Sequence, residues 1–75
     1  MTLDEGKIGS VYQVESVDIA ENVERRLQAL GFFEGTSIEL LNKKKNGTTI
    51  FKVRGTRLAV GHQIAEGITI TGGDD

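Results

Sequence analysis

The sequence contains no cysteine, no proline and a single histidine. Without cysteine there is neither a disulfide framework nor a thiolate metal site, the devices that staple many small secreted domains. One histidine leaves no zinc-ligand spacing. No apolar run is long enough to span a bilayer or serve as a signal peptide, so the expected setting is the cytoplasm, with no direct membrane insertion. The net charge is -2. Non-specific nucleic-acid binding rests on an excess of Lys and Arg, so no nucleic-acid partner is expected. No G-x-x-x-x-G-K-[ST] loop is present to cradle a phosphate. His62 has no serine or acid at a motif spacing, which argues against nucleophilic catalysis and against an enzyme.

At 75 residues the chain is expected to form one domain, residues 1–75, ordered over roughly residues 7–71 with mobile termini. A chain this small buries only about 60% of the surface its unfolded form exposes, so nearly every large apolar residue must contribute to the core. The local signals agree best over residues 22–41. Val23, Leu27 and Leu30 fall at helical spacing and make one apolar stripe, while Glu24, Arg25, Arg26 and Gln28 face water. Asn22 is the expected N-cap, although Asp18 with Glu21 forms a competing capping pair that would start the helix earlier. Gly31 supplies the stop in a left-handed C′ conformation, after which Phe32 folds back on the last turn. Glu34-Gly35 reads as a turn into a strand that alternates from Ser37 to Leu40.

The remaining elements are short. A first strand is expected at residues 10–16, where the three-residue separation of Val11 and Val14 implies either a bulge or cover on both faces. Asn46-Gly47 suggests a type I′ turn at a hairpin tip that carries Lys43, Lys44 and Lys45. Thr49, Phe51 and Val53 give the following strand one apolar face. Gly55-Thr56 suits a type II′ turn into a strand at residues 57–60. Residues 62–66 can form one helical turn with Ile64 inward, and an alternating strand follows at residues 68–71. Glycines 31, 35, 47, 55, 61 and 67 then fall at the corners. The pattern is mainly β: a small, strongly bent barrel of about five strands with a short α-helix inserted after the first strand.

Candidate sites are few. Phe32 and Phe33 are consecutive at a joint, and either both pack or one is exposed; an exposed aromatic beside Arg25 and Arg26 would make a binding hot spot. Arg54 and Arg57 add positive charge at one end of the barrel. His62 and Glu66 share a helical face and are the candidates for a metal, as a minority reading; Glu15, Asp18 and Glu21 could gather Fe²⁺ or Mn²⁺ only weakly. No cofactor is otherwise expected.

With these pieces placed, L-x-x-L-G-F-x-x-G-T-x-I-E-x-L at residues 27–41 and V-R-G-T-R-L-A-V at residues 53–60 resemble the FeoA family, ferrous iron transport protein A. The resemblance implies a cytosolic SH3-like barrel. It also implies a noncatalytic accessory role in bacterial ferrous iron uptake, with the FeoB membrane transporter and its cytoplasmic GTP-binding region as partner. A related domain occurs in iron- and manganese-dependent repressors, so metal sensing or carriage and a repressor-type interaction domain are the alternatives. Arg25, Arg26, Phe33, Arg54 and Arg57 are the expected partner-binding residues. Homo-oligomers remain open, because strand edges permit association.

Overall fold

The computed structural model describes residues 1–72. After a 3-10 turn at Leu3–Glu5 the chain runs β1 (Val11–Val17), α1 (Glu21–Ala29), β2 (Ser37–Lys43), β3 (Thr49–Val53), β4 (Thr56–Val60), α2 (His62–Glu66) and β5 (Ile68–Gly72). The strands form one antiparallel sheet in the order β4-β3-β2-β1-β5. Strand alternation sends Tyr12, Val14, Ile38, Leu40, Phe51, Val53, Leu58, Val60, Ile68 and Ile70 to a single core. Both edge strands feed that core, which requires the sheet to curl. Register shifts after Val14 in β1 and after Leu40 in β2 supply the bends, since an extra residue in one strand increases local twist.

The register shift of β1 comes after Val14, so the spacing of Val11 and Val14 reflects plain alternation, with neither a bulge between them nor cover on both faces. Tyr12 and Val14 point inward and Val11 is exposed. Tyr12 keeps its hydroxyl satisfied at the edge of the core by accepting a hydrogen bond from the Lys7 amide at 2.7 Å.

The helix begins at Glu21, between the two expected starts. Its N-cap is Ala20, with no side-chain cap hydrogen bond, so Asn22 lies inside the first turn and is not the cap. Glu21 and Glu24 place negative charge at the positive end of the helix dipole. The C-terminal end follows the sequence closely. Gly31 has φ +96°; its amide donates to the Gln28 carbonyl, and the Phe32 amide donates to the Leu27 carbonyl, both at 3.0 Å. These two bonds make a Schellman motif, which satisfies carbonyls that the helix leaves unpaired. Phe32 enters the core beside Leu27, its ring 5.5 Å from that of Phe51 and tilted by 53°, an arrangement aromatic quadrupoles favour.

Leu30 departs from the expected apolar stripe. It is the C-cap residue, has left helical geometry, and is 46% exposed. Phe32 covers the helix end in its place. Within α2, Ile64 is only half-buried and Ala65 is the fully buried residue.

The N-terminal segment also differs from a mobile polar lead-in. Leu3 is fully buried, Thr2 bridges Thr69, and the Ile70 amide donates to the Met1 carbonyl at 2.8 Å. This segment therefore covers the free side of β5. Two turns take other forms than expected. Among the residues of the β2–β3 loop only Gly47 has positive φ, which rules out a type I′ turn on Asn46-Gly47; the Gly47 amide closes the turn on the Lys44 carbonyl at 3.0 Å. In the β3–β4 hairpin the loop is Arg54-Gly55, with φ 51° and 81°. Positive φ at both positions is the type I′ pattern, in place of type II′ on Gly55-Thr56. Gly72 closes β5, and the rest of the expected mobile C-terminal tail lies outside the described residues.

These assignments predict opposite outcomes for two leucines in one helix. Leu27→Ala should lower the unfolding free energy by about 2–5 kcal/mol in urea denaturation, as for a buried leucine. Leu30→Ala should change it by roughly 0.5 kcal/mol or less, as for a surface position.

Candidate functional site

The end of α1 separates the two phenylalanines. The Schellman turn commits Phe32 to the core, at 1% exposure, and leaves Phe33 outside, at 46%. Phe33 is the first residue of a turn closed by the Thr36 amide on the Phe33 carbonyl at 3.1 Å, with Gly35 at φ +87° in the third position. Positive φ there suits a type II turn. The turn is tied to β1 by Gly35 N–H to the Val14 carbonyl, 2.7 Å, and by Val14 N–H to the Thr36 carbonyl, 3.0 Å. Phe33 is therefore an exposed aromatic on a fixed backbone.

Beside it lies a cleft of about 290 Å³, lined by Val17, Glu24, Gln28, Phe32, Phe33 and Glu34. Phe32 forms part of the apolar lining. Glu24 and Gln28 come from one face of α1, four residues apart, and Glu34 comes from the turn. Among the described residues neither Glu24 nor Glu34 takes part in an ion pair. Leu30, immediately before Gly31, is a second large apolar residue that is exposed.

The arginines named from the sequence do not gather around Phe33. None of Arg25, Arg26, Arg54 and Arg57 lines the cleft. Arg25 pairs with Glu21 across one helical turn at 2.9 Å, with both side chains largely exposed; such pairs contribute only a few tenths of a kcal/mol. Arg54 has a structural place that sequence spacing could not give. Its Cδ lies 2.8 Å from where a Cβ on Gly31 would stand, so the side chain crosses the end of α1. A positive charge near a helix C-terminus is favourable. Arg57 sits opposite Lys52 on the exposed face of the β3–β4 hairpin.

His62 and Glu66 do share a face, with Nε2 3.4 Å from Glu66 Oε1. The structure adds Asp4 from the N-terminal turn, its Oδ2 4.0 Å from His62 Nδ1. Asp4 is distant in sequence and carried no signal. Both contacts are loose, and no group of three or more His, Cys, Asp or Glu that could hold a metal occurs among the described residues. Glu15, Asp18 and Glu21 likewise form no such group. No helix among the described residues is long and apolar enough to cross a membrane.

A five-stranded antiparallel sheet curled over one core, with a short helix after its first strand, is an SH3-like small barrel. The comparisons narrow this further. The FeoA domain model matches residues 1–71, and the chain belongs to the FeoA family. It is 34% identical to the FeoA protein of Chlorobium tepidum, whose solution structure superposes with a TM-score of 0.87 over 93% of this chain and 68% of that one. It is 32% identical to Stenotrophomonas maltophilia FeoA, solved with zinc, with a TM-score of 0.77 over 95% of this chain and 89% of that one. That relative is a prokaryotic SH3 domain protein and a candidate bacterial ferrous iron transport activating factor. ScaR, solved with bound Cd²⁺, shares the fold, with 22% identity and a TM-score of 0.81 over 93% of this chain and 34% of its own. A comparison with curated protein sequences returned no match.

The two phenylalanines should separate in experiment as they do in the structure. Phe32→Ala should destabilise the domain by about 3–5 kcal/mol. Phe33→Ala should leave the urea midpoint shifted by no more than roughly 0.5 kcal/mol of equivalent stability.

Proposed function

We propose that the chain is a small noncatalytic accessory protein of bacterial ferrous iron uptake. In this reading it works in the cytoplasm, docks on the cytoplasmic part of the FeoB transporter, and modulates it. The observation that carries the proposal is the FeoA family match, which runs through the whole folded domain, residues 1–71. The role of the Stenotrophomonas maltophilia relative as a candidate transport activating factor points the same way.

The docking face we assign is the corner at the end of α1. Leu30 and Phe33 are large, apolar and exposed there, and both are held by backbone that the Gly31 closure and the Phe33–Thr36 turn fix in place. Aromatic anchors on rigid supports dominate binding energy because little side-chain or backbone freedom is lost on association. Arg54 lies at the same corner through its contact with Gly31.

Titration of the isotopically labelled domain with the purified GTP-binding region of FeoB, at low salt, tests the proposal. The amides of residues 30–36 should shift first, and Phe33→Ala should weaken binding by about tenfold or more. Absence of binding in both the titration and a pull-down with the whole cytoplasmic part contradicts it.

A further inference from the structure

The cleft beside Phe33 has a chemistry distinct from a plain apolar anchor. Its lining combines apolar residues, Val17, Phe32 and Phe33, with two acids, Glu24 and Glu34, and one amide residue, Gln28. Its volume, about 290 Å³, is at the bottom of the range for small-molecule pockets, roughly 300–1,000 Å³. That size suits one long side chain better than a cofactor. Gln28 offers a carbonyl acceptor, and an ionised carboxylate accepts hydrogen bonds without donating any.

The positive charges on the molecule leave those carboxylates free. Among the described residues the acids that lie against basic side chains are Glu21, Asp4 and Glu66, not Glu24 or Glu34. Arg25 is already paired with Glu21. Arg26 lies about 200° around the helix from Glu24, on the opposite flank. An aromatic face with two unpaired acids and an amide carbonyl around it matches a guanidinium or ammonium group on an aliphatic stem: the stem covers apolar surface, the cation faces the ring, and the donors meet the carboxylates.

We propose that this cleft receives a single basic side chain, arginine in preference to lysine, from a cationic segment of the protein that the domain docks on. Arginine is favoured because its planar fork can stack on Phe33 and still donate to acceptors on both sides. The inference deepens the docking reading above and relies on it only for the source of the segment. The cleft chemistry stands apart from that source.

The test uses the intact domain and two capped amino acids, N-acetyl-arginine amide and N-acetyl-citrulline amide, which have nearly the same shape and differ in charge. In a heteronuclear titration at low salt, the arginine probe should shift the amides of Gln28, Phe33 and Glu34 saturably, with a Kd of about 1 mM, as expected for one side chain. Citrulline should bind at least about fivefold more weakly, since charged hydrogen bonds are the stronger ones. Glu24→Gln and Glu34→Gln should each weaken the arginine probe, whereas Glu66→Gln, the same charge change at a residue that does not line the cleft, should not. Equal binding of the two probes, or no saturable shift with either up to about 10 mM, overturns the proposal. So do shifts of the same amides with protein concentration alone, which would assign the cleft to a second copy of this chain. The FeoB titration separates the two ideas. If the arginine probe binds and the transporter region does not, the docking reading fails and the cleft inference stands. If the transporter region binds equally well to Glu24→Gln and Glu34→Gln and the probe does not bind, the reverse holds.

Discussion

The structure depends on how one helix ends. Gly31 takes a positive φ that residues with a Cβ resist at a cost of about 1–2 kcal/mol, and this reverses the chain within two residues. The amides of Gly31 and Phe32 then meet the carbonyls of Gln28 and Leu27. Because consecutive side chains leave a turning backbone in different directions, the reversal assigns Phe32 to the core and Phe33 to the surface. The core gains its tilted pair of phenylalanine rings, Phe32 on Phe51. The surface gains an aromatic whose position is fixed before any partner arrives.

That division links folding to the proposed docking role. The curled sheet places β1 under the Phe33–Thr36 turn, and the two are joined by paired backbone hydrogen bonds through Val14. Movement of Phe33 would therefore require breaking strand contacts. Such preorganisation suits a module whose activity is association, since the entropy of ordering the site is already spent in folding.

Much of this was legible in the sequence because it is local. A glycine after an apolar helical stripe, followed by phenylalanine, encodes the Schellman closure in adjacent residues. Alternation in Thr49, Phe51 and Val53 marks their buried face, and the resemblance to FeoA gave the fold that the family match bears out. The failures have equally definite causes. Leu30 satisfies helical spacing, but the helix stops one residue before it, and periodicity carries no information about that boundary. Leu3 stands alone in a polar hexapeptide, with no neighbour to reveal that it is buried. Tyr12, between Val11 and Val14, carries a polar hydroxyl that hides its place in the core, because the Lys7 amide satisfies that oxygen at the core's edge. Arg54 takes a left-handed φ that sequence rules reserve for glycine, asparagine and aspartate. In the site, Phe33 was visible as a candidate, but the cleft was not. Val17, Glu24 and Glu34 meet only through tertiary structure, as do Asp4 and His62.

Native-state hydrogen exchange at the Phe32 amide tests the central claim most directly. That proton is held by the Leu27 carbonyl, and if the helix closure anchors both the core and the docking corner, it should exchange only through global unfolding, with an opening free energy equal to that of the β3 core strand. Exchange through low-energy local opening, with the sheet still protected, would contradict the account, because Phe32 and Phe33 could then change places without unfolding the domain.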